Sequence, residues 1–377
     1  MNKDHTTMKP PAEVLFKEEL EVLKANDTGV RPPGWNLSPS AVKTFIIGSR
    51  QEKLPWPQKS KKSGLVISPK FFGDDILVER AIISLLGNRG LMLVGEPGTA
   101  KSMLSELLTA AICGDSQLTI QGTAGTTEDQ IKYSWNYALL LSEGPSSRSL
   151  VPGPIFAALK TGRIVRFEEI TRCQPEIQDT LVSILSDKCL HIPELVGADN
   201  VLFAERGFNI LATANLRDRG VNEMSSALKR RFNFETVNPI QDKKLEMEIV
   251  RQQTEQLLSD SDVTVDYPDD TLELLITTFQ DLRRGRTEEG AAIEKPGTIM
   301  STAEAVAVSF SAGLDAYYFG DANIKGTHIT RQLKGTVFKD DPNDIGKLKH
   351  YLNVIAKVRA KKGGAWKAFY ESRDILA

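Results

Sequence analysis

Apolar and polar positions follow two different periods along the middle of the chain. Short, nearly continuous apolar runs at 91–94, 118–121, 163–169, 208–214 and 232–237 are typical of strands buried on both faces. The stretches between them carry apolar residues at helical spacing. The last of the predicted helices in this part of the chain spans 222–229. This alternation predicts an α/β domain, with a mostly parallel sheet and helices on both faces.

Beyond residue 238 the strand pattern ends and helical periodicity replaces it. Helices are predicted over 241–258, 270–284, 301–319 and 344–360. The C-terminal aromatic residues are predicted to dock on these helices; they are Trp366, Phe369 and Tyr370. An all-helical second domain is therefore expected over 239–377.

Three parts of the chain follow from these patterns. Residues 1–67 form an N-terminal extension with helical segments and a basic run at 59–62, and residues 68–238 form the α/β core. One stretch inside the core is too long for a plain connection, and another holds two short strand-like pieces on either side of a loop. The glycine-rich stretch at 122–150 is predicted to be an insertion, and 189–206 is predicted to contain a β-hairpin.

The composition excludes some classes of protein but does not indicate a binding partner. The 377 residues are 41% hydrophobic and 25% charged, which is ordinary for a globular chain, and the net charge of -2 gives no overall signature of nucleic-acid binding. The three cysteines lack CxxC spacing, which indicates free thiols in a reducing compartment. No apolar run approaches the length of a membrane span, and the polar start lacks a signal-peptide core. We therefore expect a cytoplasmic protein without a membrane partner.

The sequence LMLVGEPGTAKSML has the layout of a phosphate-binding loop: a buried strand, a glycine turn and an amphipathic helix. Backbone N–H groups and the positive end of the helix dipole would face a polyphosphate, Lys101 would reach its outer phosphates and Ser102 would hold Mg²⁺. Ala100 stands where the pattern has its last glycine. The alternative is a plain turn before a core helix. The predicted cofactor-binding residues are Gly95, Glu96, Pro97, Gly98, Thr99, Ala100, Lys101 and Ser102.

A second chemical landmark is the strand RIVRFEE, which ends in two carboxylates. Beside a phosphate loop, the first acid anchors Mg²⁺ and the second polarises the attacking water. Glu168 would take the first role, although aspartate is usual there, and Glu169 the second. The alternative interpretation is a solvated strand end.

Two further positions are candidates for catalysis. Asn215 follows the strand at 208–214, where its side chain would reach the γ-phosphate or the attacking water. Lys229, Arg230 and Arg231 are usually a solvated turn. In a ring of nucleotidases, an arginine at this edge can instead stabilise transition-state charge at the neighbouring subunit's γ-phosphate.

The motifs GEPGTAKS, RIVRFEE, ILATAN and ALKRRF, in this order, resemble those of the AAA+ ATPases. The MoxR branch is the most similar, because GPIF precedes the Glu-Glu strand, EITR is similar to its DEINR, and ALKRRF is similar to its ALLDRF. The resemblance implies an αβα P-loop core, a helical lid, ATP with Mg²⁺, and a homo-oligomeric ring that is usually a hexamer.

The resemblance also implies a role for each candidate residue. Segment 122–150 resembles the insertion in helix 2 of this branch, and 189–206 resembles its hairpin before sensor 1; both would line the top or pore of the ring. The lid motif that supplies a sensor 2 arginine falls on 297–302, which has none, so either Lys295 substitutes or ATP closes the lid less tightly. The implied roles are Walker A for Lys101 and Ser102, Walker B for Glu168 and Glu169, sensor 1 for Asn215, and arginine finger for Arg231, with Arg230 second.

Three functional classes stay open on the sequence. The first is an ATP-driven ring that remodels a protein partner, often one with a von Willebrand A domain. The second is a nucleic-acid-dependent motor or defence-system ATPase, for which the insertion offers cations and aromatic side chains. The third is a nucleotide-gated scaffold with little turnover. The insertion residues in question are Lys132, Tyr133, Trp135, Tyr137 and Arg148.

Overall fold

The structure, a computed structural model, describes residues 9–57, 64–215, 221–298, 300–339 and 341–376. The chain divides into two compact units: the first ends at Asn238 and the second begins at Pro239, with Pro97–Thr99 grouped with the second. The basic run predicted at 59–62 lies outside the described residues.

Five parallel strands form the main sheet of the first unit. We number them in chain order as β1 (Gly90–Val94), β2 (Thr119–Gln121), β3 (Ile164–Glu168), β4 (Asn209–Ala214) and β5 (Phe232–Thr236). Their spatial order is β5-β1-β4-β3-β2. Each strand starts within one residue of its predicted start, and the predicted parallel α/β fold is confirmed.

Successive residues of β1 point to opposite faces of this sheet, as the pleat requires. Leu91 and Leu93 belong to one hydrophobic core, whereas Met92 and Val94 belong to another. Both faces are therefore covered, which explains why the strands read as continuous apolar runs. Helices Pro39–Ile47, Asp75–Leu86 and Lys101–Cys113 cover the first face, and Pro154–Thr161 and Pro175–Asp187 cover the second.

The N-terminal extension is packed into the core of the first unit. Its helices span Ala12–Leu15, Lys17–Asn26 and Pro39–Ile47, and the last is capped by Ser38. Phe45 and Ile46 are fully buried in the same cluster as the first face of the sheet. A short hairpin, Lys53–Leu54 with Leu65–Val66, completes this part.

The two insertions have small folds of their own. In the first, Tyr133–Trp135 pairs antiparallel with Leu150–Pro152 around the helix Tyr137–Glu143, and the helix Glu128–Ile131 precedes them. In the second, Cys189–His191 pairs antiparallel with Val201–Phe203, which confirms the predicted hairpin. The Tyr133 hydroxyl donates a hydrogen bond to Glu194 Oε2 at 3.0 Å, so the two insertions are in contact.

The helix predicted over 222–229 is wrong in its first half. Only Ser226–Lys229 is helical, with the Ser225 hydroxyl as its cap. The Asn222 backbone N–H donates to the Thr171 carbonyl (2.6 Å) and the Asn222 side chain donates to the Cys173 carbonyl (3.0 Å). These tertiary hydrogen bonds take the place of helical ones and override the local propensity.

The second unit is helical, as predicted. Phe369 is fully buried in its core, so the C-terminal segment docks where the sequence places it. The helix Gly326–Thr336 was not predicted; it has a kink at Lys334 and Gly335. None of the described helices is long and apolar enough to cross a membrane. The helices span Lys243–Asp260, Asp269–Arg284, Thr302–Phe319, Gly326–Thr336, Pro342–Tyr351, Lys357–Arg359 and Gly364–Glu371, with a π-helical turn at Leu352–Ala356.

Candidate nucleotide-binding site

The predicted site residues gather at one edge of the sheet. Ala214 of β4 pairs with Val94 of β1, and Ala212 pairs with Phe167 of β3. Because these strands are parallel, the segments that follow them leave the sheet on the same side. The phosphate loop, the Glu168–Glu169 pair and Asn215 therefore come together, and this carboxyl edge is where open α/β sheets bind ligands.

The phosphate loop turns into its helix through a left-handed residue. Ala100, immediately before Lys101–Cys113, has φ 65° and ψ 22°, and Gly98 has φ 75°. An L-residue pays roughly 1–2 kcal/mol for this conformation, whereas glycine adopts it freely. The alanine therefore keeps the backbone shape of the glycine that the pattern expects, at a cost in local strain.

Lys101 is held inside the loop. Its side chain is buried, and Nζ donates hydrogen bonds to the carbonyls of Gly95 (3.1 Å) and Glu96 (2.7 Å). Burial lowers the pKa of Lys101 to about 8, against the opposing effect of Glu169, Glu168 and Glu96. The ammonium group thus lies among the loop carbonyls, within the turn that would surround a phosphate chain.

Glu168, the last residue of β3, is buried and fully hydrogen-bonded. Oε2 accepts from the Ser102 and Thr213 hydroxyls, both at 2.8 Å, and Oε1 accepts from Ser105 (2.5 Å) and from Arg166 Nη2 (2.9 Å). Burial raises the pKa of this carboxyl, but these four donors outweigh burial and hold the pKa below its usual value. Glu168 is therefore an ionised carboxylate in contact with the Ser102 hydroxyl.

Glu169 has a strained backbone and a more accessible side chain. Its φ of 54° lies in the left-handed region, and its backbone N–H donates to Thr213 Oγ1 at 3.0 Å. Its carboxylate pairs with Arg172 Nε at 2.6 Å. Left-handed non-glycine residues recur at functional sites because the surrounding structure compensates their strain. Here the strained turn directs the two neighbouring carboxylates to different surroundings.

Asn215 lies directly after β4 and is 7% exposed. Its Oδ1 is buried and has no hydrogen-bond partner among the described residues. Buried polar atoms without partners are uncommon and call for an explanation. A ligand or a water held at the carboxyl edge of the sheet supplies one.

The two candidate finger arginines stand apart from these groups. Arg231 donates from Nε to Ser186 Oγ (3.0 Å) and from Nη1 to the Ala227 carbonyl (3.1 Å), whereas Arg230 is exposed. Within the described part of a single subunit, neither contacts Lys101, Glu168 or Asn215. The structure therefore brings the other predicted site residues together without these two arginines.

The segment where the sensor 2 motif was expected is fixed by a carboxylate. The backbone N–H groups of Gly297 and Thr298 donate to Asp344, both at 2.7 Å, and Lys295 is exposed. In the same unit, Arg283 binds the fully buried Glu246 through Nη2 (2.6 Å) and the Met300 carbonyl through Nε (2.6 Å). Arg283 is thus a cation next to the predicted segment, but its guanidinium is already paired.

Comparison with known proteins identifies the family of this chain. Residues 90–232 match the family model described as "AAA domain (dynein-related subfamily)", and residues 244–377 match "YehL-like AAA+ ATPase C-terminal domain". The protein YehL of Escherichia coli (strain K12), itself described as uncharacterized, is 48% identical over 368 residues, covering 98% of this chain and 97% of that protein. The chain belongs to the YehL-like AAA+ ATPases.

More distant similarities accompany this one. An uncharacterized protein of Staphylococcus aureus (strain NCTC 8325 / PS 47) is 27% identical over 209 residues, which covers 54% of this chain and 74% of that protein. Among solved structures, NtrX from Brucella abortus in complex with ADP has a TM-score of 0.48 at 11% identity, over 81% of this chain and 69% of that chain.

Membership of the YehL-like AAA+ ATPases confirms three predictions: the P-loop fold, the AAA+ resemblance and ATP hydrolysis as the activity. The site is also chemically suited to magnesium. Mg²⁺ prefers oxygen ligands, and the Ser102 hydroxyl and the Glu168 carboxylate offer two of them 2.8 Å apart. The orphaned Asn215 Oδ1 in turn suits a ligand that brings its own donor, such as a water.

Three residues of this YehL-like site were missed in the sequence: Ser105, Arg166 and Thr213. Each hydrogen-bonds Glu168. Their positions hold a usable signal, because Arg166 lies two residues before Glu168 on the same face of its strand and Ser105 lies one helical turn after Ser102. Arg166 was the clearest signal in the sequence, because a cation between apolar residues of a buried strand needs a charged or polar partner nearby.

Proposed function

We propose that this YehL-like AAA+ ATPase acts as a MoxR-type machine: a cytoplasmic homo-oligomeric ring, with six subunits as the expected number, that uses Mg²⁺-dependent ATP hydrolysis to remodel or activate a protein partner. A protein with a von Willebrand A domain is the first candidate client. The observation that carries the site assignment is the direct hydrogen bond between Ser102 and Glu168, which joins the two Walker elements at 2.8 Å.

Each side chain then has a defined task. Gly95–Ala100 and Lys101 would bind the phosphates, and Ser102 with Glu168 would hold Mg²⁺, which would neutralise phosphate charge. Glu169 would accept a proton from the attacking water, and Asn215 would orient that water. Arg231 or Arg230 would stabilise transition-state charge in the neighbouring subunit's site.

The chemistry of the first insertion favours a protein client over nucleic acid. Both of its cations are already paired, Lys132 with Glu128 and Arg148 with Glu143. Tyr133 and Trp135 pack edge-to-face, with ring centroids 5.9 Å apart, and the Tyr133 hydroxyl is bound to Glu194. These groups are therefore poorly placed to pair with phosphates or stack on bases.

The helix Tyr137–Glu143 supplies the positive argument. None of its residues is buried; Leu141 is 89% exposed and Tyr137 is 69% exposed. Tyr137 and Leu141 are four residues apart and therefore neighbours on the helix surface. Contiguous exposed apolar patches mark protein interaction surfaces. The helix therefore supports a client recognised through apolar contacts.

The test is a pair of measurements on the purified protein. Lys101→Ala removes the phosphate-binding ammonium group, so ATP affinity should fall by at least about tenfold. ATP hydrolysis by the unmodified protein should also be unaffected by added single- or double-stranded DNA. Unchanged ATP affinity in Lys101→Ala would exclude the phosphate-loop assignment, and strong stimulation by DNA would favour a nucleic-acid motor instead.

A further inference from the structure

Arg166 is a buried cation in the middle of the Walker B strand. It is 8% exposed and lies on β3, between apolar neighbours that fill the core. Such a charge is tolerated only with a full set of partners, because isolated buried charges are strongly disfavoured. The partners of Arg166 are therefore informative about its purpose.

These partners belong to three segments of the site. The guanidinium donates to Glu168 Oε1 (2.9 Å), to Ser105 Oγ (3.0 Å) and to the backbone carbonyls of Ser102 (3.2 Å) and Ser116 (3.1 Å). Ser102 and Ser105 lie in the first turns of the phosphate-loop helix, and Ser116 lies just before β2. Arg166 thus joins the Walker A helix to the Walker B strand.

Glu168 needs such support because of its length. Glutamate has one more rotatable bond than the aspartate usual at this position, so its carboxylate loses more side-chain entropy when it is fixed. Arg166 and Ser105 bind Oε1, while Ser102 and Thr213 bind Oε2. The contacts to Oε1 orient the carboxylate so that its other oxygen meets the serine hydroxyl.

We propose that Arg166 is a positioning residue that holds Glu168 against Ser102 and so presents the two Mg²⁺ ligands as a preformed pair. The inference rests on the proposed function of this site. Residues that support metal ligands from behind typically change metal affinity by about 10–100-fold when they are removed. The effect should appear in the dependence of nucleotide binding on Mg²⁺.

Arg163 provides a matched control on the same segment. It precedes β3 and pairs with Asp115 at 2.6 Å, but its side chain is 41% exposed and it makes no described contact with Glu168. Arg163→Met removes one ion pair from this part of the chain and leaves the Glu168 cluster intact. A general loss of stability would affect both variants, whereas loss of positioning affects Arg166→Met alone.

The experiment measures binding of a fluorescent ATP analogue to the full chain at increasing Mg²⁺ concentration, and again in EDTA. In Arg166→Met, the Mg²⁺ concentration at half-maximal binding should rise by about tenfold or more. Affinity in EDTA should change by less than about twofold in both variants, since the contacts of the loop with the phosphates are unaltered. Arg163→Met should titrate like the unmodified protein.

Two milder variants test the same proposal if Arg166→Met does not fold. Arg166→Lys keeps the charge but cannot span the same set of acceptors, and Ser105→Ala removes one donor to Glu168. Both should shift the Mg²⁺ midpoint in the same direction by smaller factors. Thermal unfolding of each variant shows whether it is folded at the assay temperature.

Two results would overturn the proposal. One is an unchanged Mg²⁺ midpoint in all of the folded variants at Arg166 and Ser105. The other is an equal loss of binding with and without Mg²⁺, which would show that Arg166 only stabilises the fold. If the unmodified protein itself binds the analogue without any response to Mg²⁺, then the Mg²⁺ role proposed for Ser102 and Glu168 fails as well.

Discussion

Asn209 begins strand β4 and Asn215 directly follows it, but the side chains of the two residues differ in their hydrogen bonds. Asn209 donates from Nδ2 to the carbonyls of Leu85 (3.2 Å) and Arg89 (3.1 Å), whereas the buried Asn215 Oδ1 lacks a partner among the described residues. The Asn209 amide therefore stabilises the fold, whereas Asn215 Oδ1 can accept a hydrogen bond from a ligand or a water.

This contrast yields a prediction at single positions. Asn215→Ala should lower ATP turnover by about 100-fold or more, because a preorganised polar group at the reacting centre is lost. Its free energy of unfolding should change by less than about 1 kcal/mol, since Asn215 Oδ1 accepts no hydrogen bond from the described residues. Asn209→Ala should instead lose about 1–3 kcal/mol of stability and keep its turnover per folded molecule. Turnover assays and denaturant unfolding distinguish the two. The reverse pattern would remove Asn215 from the site.

Residue types and their order along the chain were enough to locate Lys101, Ser102, Glu168, Glu169 and Asn215 as candidates. The network around Glu168 was not predicted. Arg166 and Ser105 are 61 residues apart in the chain, and their contact exists only after β3 has packed against the phosphate-loop helix. Sequence spacing describes neighbours on one strand or one helix, and it says little about which two elements meet.

At the scale of elements, the helix Tyr137–Glu143 is apolar although none of its residues is fully buried. Leu141→Ser should leave the free energy of unfolding within about 0.5 kcal/mol, because the side chain is 89% exposed. In a Glu169→Gln background with ATP, the same substitution should reduce capture of a co-purifying client. Ile83→Ser, on the exposed side of helix Asp75–Leu86, is the matched control and should retain the client. Equal capture by both variants would exclude this helix as the client surface.

Strong periodicity explains which elements could be predicted. The strands of the sheet are buried on both faces, so each is an apolar run with clear ends. The prediction of a helix over 222–229 was wrong in its first half because Asn222 donates hydrogen bonds to the Thr171 and Cys173 carbonyls. The helix Gly326–Thr336 was missed because it holds two glycines and is capped by His328, whose Nδ1 accepts from the Lys325 N–H, rather than by Ser, Thr, Asp or Asn.

At the scale of the whole molecule, the proposed finger arginines would act in the nucleotide site of a second subunit. Arg231→Ala should lower turnover by about 10³-fold or more if it completes the neighbour's site. Mixing that variant with Lys101→Ala should restore part of the turnover, because some interfaces then combine an intact loop with an intact arginine. Arg230→Ala, tested in the same way, decides between the two, since Arg230 is exposed while Arg231 has to break its bonds to Ser186 and Ala227. Absence of complementation in either mixture would contradict a shared site.

The most direct test of the account as a whole is steady-state ATP hydrolysis by Glu169→Gln, with bound nucleotide and particle mass measured on the same sample. We expect turnover to fall by about 10²–10⁴-fold, because the group that polarises the attacking water is lost. ATP should stay bound, and the mass should be that of a ring. Turnover equal to that of the unmodified protein would contradict the assignment of Glu169 and, with it, the proposed mechanism.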